Sequence, residues 1–408
     1  MFNYFLSIIL VLFFLASSVV LSQNDLESNL RKLISHAGYE NVQVRYLERN
    51  LFIGFENRLY RFEVTALLEL FKLIKNDLEN VNNLFLLIKN KNIPIVEIRV
   101  DKNDLLDWLN GVITNSEFSE LMDIKINEDD RTKEIFNGVE QSNLSSFKFD
   151  FVLKPTYRFQ FGIFSRPVLY QLNFAPHIEF SFWKGMSGLY EITFPIHNDF
   201  SPREDSVRTS MAVINQTFRL SNSIYISTSL GYFTFDRYGF DLESRWYLLN
   251  GDLSVGLNIG YTGYASFTMK NIYYSDLYLW TGVVDFNYRI AEYDLTLGVS
   301  AGRYLSKDNT FRFDIYRNFG EIQIGFFAMR STEGISNGGF SFSIPIFPAK
   351  HLKPGIFRIR TPDHLSYTYK VKIADLIGLK YETGFTVSNF IKKMNPSFIK
   401  NYINYRIN

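Results

Sequence analysis

From Phe147 to Phe161 the chain reads FKFDFVLKPTYRFQF, an alternation of apolar and polar residues held for fifteen positions. The odd positions are Phe147, Phe149, Phe151, Leu153, Pro155, Tyr157, Phe159 and Phe161, and all but Pro155 are strongly apolar. The even positions are Lys148, Asp150, Val152, Lys154, Thr156, Arg158 and Gln160, all polar but Val152. Successive side chains of a strand point to opposite faces, so this stretch has one greasy face and one ionic face. Ordinary strands run to about five or six residues, whereas a tilted strand needs about nine to eleven to cross the hydrocarbon layer.

The pattern recurs. Phe174, Ile178, Phe180 and Phe182 oppose Asn173, His177, Glu179 and Ser181. Tyr278, Trp280, Val284, Phe286 and Tyr288 oppose Thr281, Asp285, Asn287 and Arg289, and Phe311, Phe313 and Ile315 oppose Arg312, Asp314 and Tyr316. About twelve to fourteen such segments lie between 147 and about 390, divided by turns such as KGMSG, RLSNS, LLNGD and LSKDNT. A backbone in lipid has to satisfy its own N–H and C=O groups, so strands persist there only in a closed barrel. An Arg or Lys on the lipid face near the midplane costs about 2–4 kcal/mol, which sends Arg158, Arg289 and Arg312 inward. The fold expected is therefore a transmembrane antiparallel β-barrel of about 12–14 strands over 147–408. A soluble sandwich with one wet face is the competing reading. Aromatic content of 17%, with 40 Phe and 25 Tyr, suits the belts at two membrane interfaces.

A small α/β domain precedes the barrel. Asn24 or Asp25 can cap a helix carried by Leu26, Leu30, Leu33, Ile34 and Ala37 and stopped by Gly38. The stretches VQVRYL and LFIGFE read as strands, Val64 to Phe71 as a helix, and NLFLLIKNKNIPIVEIRV as two more strands. DKNDLLDWLNG reads as a short helix opened by Asp101 and closed by Gly111. This domain spans 23–126, and the polar stretch 127–146 reads as a linker or long loop. The apolar run Phe5–Leu15, followed by small residues, has the form of a signal peptide over 1–22. A membrane anchor is the alternative there.

A net charge of +1 removes any bulk attraction for nucleic acid, and the absence of Cys excludes disulfides, thiolate metal sites and thiol nucleophiles. The five His residues show no metal-ligand spacing, and no nucleophile elbow or phosphate loop is present. No catalytic, cofactor or metal residue is expected. His177 and Ser181 share a face, but no third group orients them. The candidates are instead the charges facing the lumen: Lys148, Asp150, Arg158, Glu179, Arg245, Asp285, Arg289, Arg312 and Asp314, with Lys154, Glu191, Arg208 and Arg303 beside them. They pair to stiffen the barrel, or they line a path for a hydroxylated, partly charged glycan whose carboxylates Arg forks would bind, with Tyr225, Tyr247 and Tyr316 as stacking surfaces. SIPIFPAKHLKPG, with its three prolines, reads as a loop outside the membrane.

The segments AGYENVQV, LFIGFENRLYR with EVTALLELFKLI, LLIKNKNIPIVEIRVDKNDLLDWLNG, NGGFSFSIPI and GIFRIRTPDHLSYTYKV together resemble the YjbH-like family of bacterial outer-membrane proteins. That resemblance implies a single-barrel member with a periplasmic α/β domain, acting without catalysis in exopolysaccharide or capsule export. It implies contact with outer-membrane lipid, exopolysaccharide and periplasmic export machinery, and no cofactor. A general porin, a secretion or scaffold barrel, and a lipid-modifying barrel enzyme are the alternatives. The ending INYRIN, about twenty residues past the last clear strand, leaves the closing strand open.

Overall fold

The computed structural model describes residues 25–126, 129–163, 166–221, 223–268, 272–371, 376–388 and 394–405. The expected signal segment, 1–22, lies outside them. No described helix is long and apolar enough to cross a membrane, which does not bear on strands.

The first domain is a five-stranded sheet in the order β1 (Glu40–Leu47), β2 (Asn50–Glu56), β3 (Asn83–Asn90), β4 (Ile93–Asp101), β5 (Asp123–Lys125). Helix α2 (Glu63–Ile74) crosses between β2 and β3, which therefore run parallel. It packs with α1 (25–37), α3 (Lys102–Leu109) and α4 (Asn115–Leu121) on one sheet face, around Leu51, Ile53, Leu86, Ile88 and Phe71. The Asp101 side chain accepts from the Asn103 amide at 2.7 Å, so the expected start of α3 is the observed one. Strands buried on both faces read as continuous apolar runs, and the second face explains a difference from expectation. Residues 127–146 are not a free linker: α5 (Asp130–Phe136) lies within them, and Phe136 closes over Phe52 and Leu87. Ser145 donates its amide to Asn41 in the same domain.

The long alternating stretch is one line broken at a proline, β6 (Lys148–Val152) and β7 (Pro155–Ile163). Its hairpin partner is broken likewise, β8 (Arg166–Phe174) and β9 (His177–Ser181), with Pro176 in the gap. Proline has no N–H for a ladder, yet one register runs from Lys148↔Ser181 to Ile163↔Arg166, bridged by the Ala175 amide on the Lys154 carbonyl at 2.7 Å. Antiparallel neighbours follow in chain order: β10 (Met186–Asn198), β11 (Arg208–Arg219), β12 (Ile224–Phe233), β13 (Arg237–Leu248) and β14 (Leu253–Phe267). A short β15 (Ile272–Tyr274) pairs only with the end of β14, and β16 (Leu279–Ile290) continues the order. Next come β17 (Leu295–Arg303), β18 (Asn309–Phe319), β19 (Ile322–Ser331) and β20 (Ser336–Pro345). The final line is β21 (Phe357–Arg360) and β22 (His364–Lys370), interrupted around Pro362.

The pairing then returns to its start. β22 pairs antiparallel with β20, and β21 pairs parallel with β6. With each broken strand taken as one line, the described residues make thirteen lines in ring order. An odd number of alternating lines makes the first and last run the same way, hence the parallel seam. Its second half, β22 against β7, meets through side chains: Tyr157 and Tyr367 rings at 5.9 Å, and the Tyr367 hydroxyl on the Phe159 carbonyl at 3.3 Å.

The two faces of the ring separate by chemistry as the alternation requires. Trp246, Ile259, Trp280, Phe286 and Phe326 are exposed outside, and Asp241, Glu243, Arg245, Asn258 and Arg289 are buried inside. Phe313 is 40% exposed, whereas the Arg312 side chain is 23% exposed and folded against Asp314 and Phe327.

The wall does not extend to 408 as expected. After Lys370 the chain turns into the ring. Leu379, Tyr381 and Phe385 pack on the inner-face residues Leu189, Met211, Val213, Leu279 and Leu305. The Tyr381 hydroxyl donates to Asp241 at 2.8 Å, and the Val387 amide donates to Glu243 at 2.8 Å. Gly260 faces this tail with no side chain of its own; a Cβ there would stand 1.7 Å from the Tyr381 hydroxyl oxygen. The apolar patch on the inner wall thus has a partner from the same chain. The tail leaves at the opposite end, where α6 (Pro396–Tyr405) joins the α/β core through Phe398 and Ile403.

Candidate functional site

The α/β domain lies across one end of the ring. Arg61 pairs with Glu321 at 2.6 Å, Asn250 exchanges hydrogen bonds with the Ile124 carbonyl and the Ile126 amide, and Arg219 reaches the Pro94 carbonyl at 3.3 Å. Of the stretch Ser343–Gly355, expected as a loop outside the membrane, Ser343–Pro345 finish β20 and the rest also meets this domain: the Arg61 amide donates to the Ala349 carbonyl at 3.0 Å. Between domain, wall and tail a chamber of about 760 Å³ remains, lined by charged side chains from all three.

Its floor is built on Asp150. Arg58 from the α/β domain approaches at 2.9 Å, the Nε of Arg358 at 2.9 Å and Arg360 at 3.1 Å. Arg360 also holds Glu179 at 2.7 Å, and Glu179 meets His177 at 3.0 Å. Glu191 closes the series with Lys154 and Ser210, each at 2.8 Å. On the domain side Glu40, fully buried, binds Lys148 at 2.7 Å. Burial pushes the Glu40 carboxyl up, against the pull of Arg58 and Lys148. Burial works against the Arg58 charge too, but Glu40 and Asp150 outweigh it and push that pKa further up. Lys91, at the tip of the β3–β4 hairpin, enters the ring, bonds Ser187 and lies 4.3 Å over the Phe385 ring. Burial brings its ammonium down to about 8, against the pull of Glu179 and Glu56.

The candidates read from sequence divide into two groups. Lys148, Asp150, Glu179, Lys154 and Glu191 meet at the chamber floor or beside it. Arg245 and Asp285 pair on the inner wall at 2.9 Å, across Gly256, where a Cβ would stand 2.1 Å from Asp285. Arg312 and Asp314 pair at 2.8 Å, and Arg289 pairs with Asp294 and reaches Ser397 at 2.9 Å. Arg158 lies at the far end, 51% exposed, over the Phe200 ring and 3.9 Å from Glu204. Tyr225 and Tyr247 are buried in the junction with the α/β core, so neither offers a free stacking face.

Two expectations need correction. Arg303 faces outward, because it shares the face of Leu297 and Val299, and it lies 4.7 Å over the exposed Trp280 ring at the far rim. Arg208 belongs to the rim, donating to the carbonyls of Glu204 and Ser206. No Ser–His pair forms at His177: its ring is taken by Glu179 and Glu191, and Ser181 donates to the Trp183 carbonyl. Sequence reading passed over Arg58, Lys91, Arg358 and Arg360. The run FRIR continues the strand alternation and places Arg358 and Arg360 on one face, a signal that could have been used. Nothing local marks Arg58 and Lys91, which lie on turns of the other domain. Among the described residues no His, Asp and Glu cluster forms a metal-ligand set.

A protein-family model described as exopolysaccharide biosynthesis protein YbjH matches residues 16–347, which span both domains. No curated protein and no solved structure matches the chain. With most of its length inside that match, the chain belongs to the YjbH family of exopolysaccharide biosynthesis proteins.

Proposed function

We propose that this chain is a non-enzymatic outer-membrane β-barrel that serves exopolysaccharide biosynthesis at the export step, with its α/β domain in the periplasm. The observation that carries this reading is the sorting of the ring: aromatic and aliphatic side chains exposed outside, paired ions buried inside. A water-soluble sandwich would hide the apolar face between two sheets, whereas lipid is the solvent that accepts it. The ring contacts outer-membrane lipid; the glycan and periplasmic export proteins are the partners proposed on the α/β side. A general porin is disfavoured because the tail occupies part of the lumen. A Ser–His lipid hydrolase is disfavoured because His177 is held by two glutamates.

The test is deletion in an exopolysaccharide-producing host, with fractionation of the tagged protein. Recovery in the outer membrane, with loss of surface polysaccharide and an unchanged lipid A profile, is the expected result. A protein found in the aqueous fraction, or a host with unaltered polysaccharide, contradicts the reading.

A further inference from the structure

The inner wall differs from side to side. Along β11, β12, β14 and β16 the small polar residues are shut away: Asn215, Ser227, Ser229, Asn258, Thr262 and Thr281 are each 8% exposed or less. Asn215 donates to both Ser227 and Ser229, and Asn258 donates to Asp241, the residue that also receives Tyr381. This side is filled by its own network and by the tail. The other side, β20 and β22 with β7, carries Ser341, Ser343, Ser366, Thr368 and Thr156 inward, and Ser366 and Thr368 are exposed. Ser366 and Ser343 stand opposite each other, hydroxyls 2.9 Å apart, and both line the charged chamber. The same face continues to Arg158 and Phe200 at the far end.

We infer that the chamber extends beside the tail as a cleft along β20, β22 and β7, and that this cleft binds a segment of a neutral or weakly charged, hydroxyl-rich polymer, a glycan strand. Serine and threonine hydroxyls both donate and accept, so they match sugar hydroxyls in any register. Many weak equivalent contacts let a chain bind without being trapped, the condition a translocating ligand needs. The chamber's charges are mutually paired, which provides polar edges without a field that would select a polyanion.

The inference rests on the barrel reading for its polymer, and its test is separable from that reading. The chain has no cysteine, so single substitutions report cleanly. Full-length Ser366→Cys and Thr368→Cys are compared with Ser227→Cys and Ser229→Cys in reconstituted vesicles, using a membrane-impermeant maleimide. Flotation of the vesicles with the protein, scored first, tests membrane insertion by itself. Cleft cysteines should react at least about tenfold faster than the walled-off pair, because burial confines reaction to rare openings. Exopolysaccharide fragments purified from the producing host should slow labelling at 366 and 368 and leave 227 and 229 unchanged. Equal rates on the two sides, or cleft rates indifferent to the fragments, overturn the inference.

Discussion

At Asp150 three guanidinium groups converge on one nearly buried carboxylate, and two of them, Arg358 and Arg360, lie on the last wall strand while Arg58 belongs to the α/β domain. Removing one partner of a buried ion set leaves charge without compensation and costs about 3–5 kcal/mol. Asp150→Ala should therefore lower the thermal midpoint sharply and loosen the domain from the wall. Arg158→Ala, at a half-exposed pair, should change it little. Comparing the two melts in detergent checks this. Lys91 gives a pH test. Its pKa of about 8 lies below the ordinary lysine value, so between pH 8 and about 10.5 the unfolded chain binds the extra proton. Lys91 thus costs stability below pH 8, and the cost, on the order of 3 kcal/mol, fades as pH rises. From pH 7.5 to 10 the wild type should gain stability relative to Lys91→Met; parallel melting curves for the two proteins would refute it. Inward-facing wall residues such as Asp150 and Arg312 were legible because parity alone assigns a strand residue to a face. Arg303 obeys the same rule from the other side: it shares the outer face of Leu297 and Val299, and from the strand end its guanidinium reaches the rim and the Trp280 ring.

Among elements, the tail decides what the ring can do. It fills the lumen beside β10–β14 and places Tyr381 against Gly260 and Asp241. Gly260→Ala puts a methyl where the Tyr381 hydroxyl lies, and overpacking costs about 1–3 kcal/mol. The tail should then open to trypsin at Lys380, and adding Tyr381→Phe should restore part of the resistance. A Gly260→Ala protein as resistant as wild type would contradict the packing described. The tail was not legible because GFTVSN alternates much as the wall strands do. Only the inner-face patch of Leu189, Met211 and Val213, brought together by the fold from β10 and β11, reveals what it covers. Helix α5 was missed for a similar reason. Its two core residues, Ile135 and Phe136, are too few for a periodic signal and find their partners on β2 and β3. The parallel seam is likewise a property of strand number, which no single segment carries.

For the whole molecule, an α/β cap, a ring of strands and a returning tail make one polar interior. Helix α6 ties the end of the chain into the core of its beginning. The ionic interior and greasy exterior were legible from a two-residue period; the chamber was not, since Arg58, Arg61 and Lys91 reach it from the first domain. The account depends on the outer face meeting lipid, and tryptophan reports on that directly. Of the four tryptophans, Trp246 and Trp280 are exposed on the outer wall, and Trp108 is stacked on Phe118 inside the α/β domain. Variants keeping one tryptophan each, the others changed to Phe, are reconstituted in vesicles of brominated phospholipid. Strong quenching of Trp246 and Trp280, with Trp108 unquenched, is the predicted result. Unquenched emission from Trp246 and Trp280 in a folded protein would contradict the account.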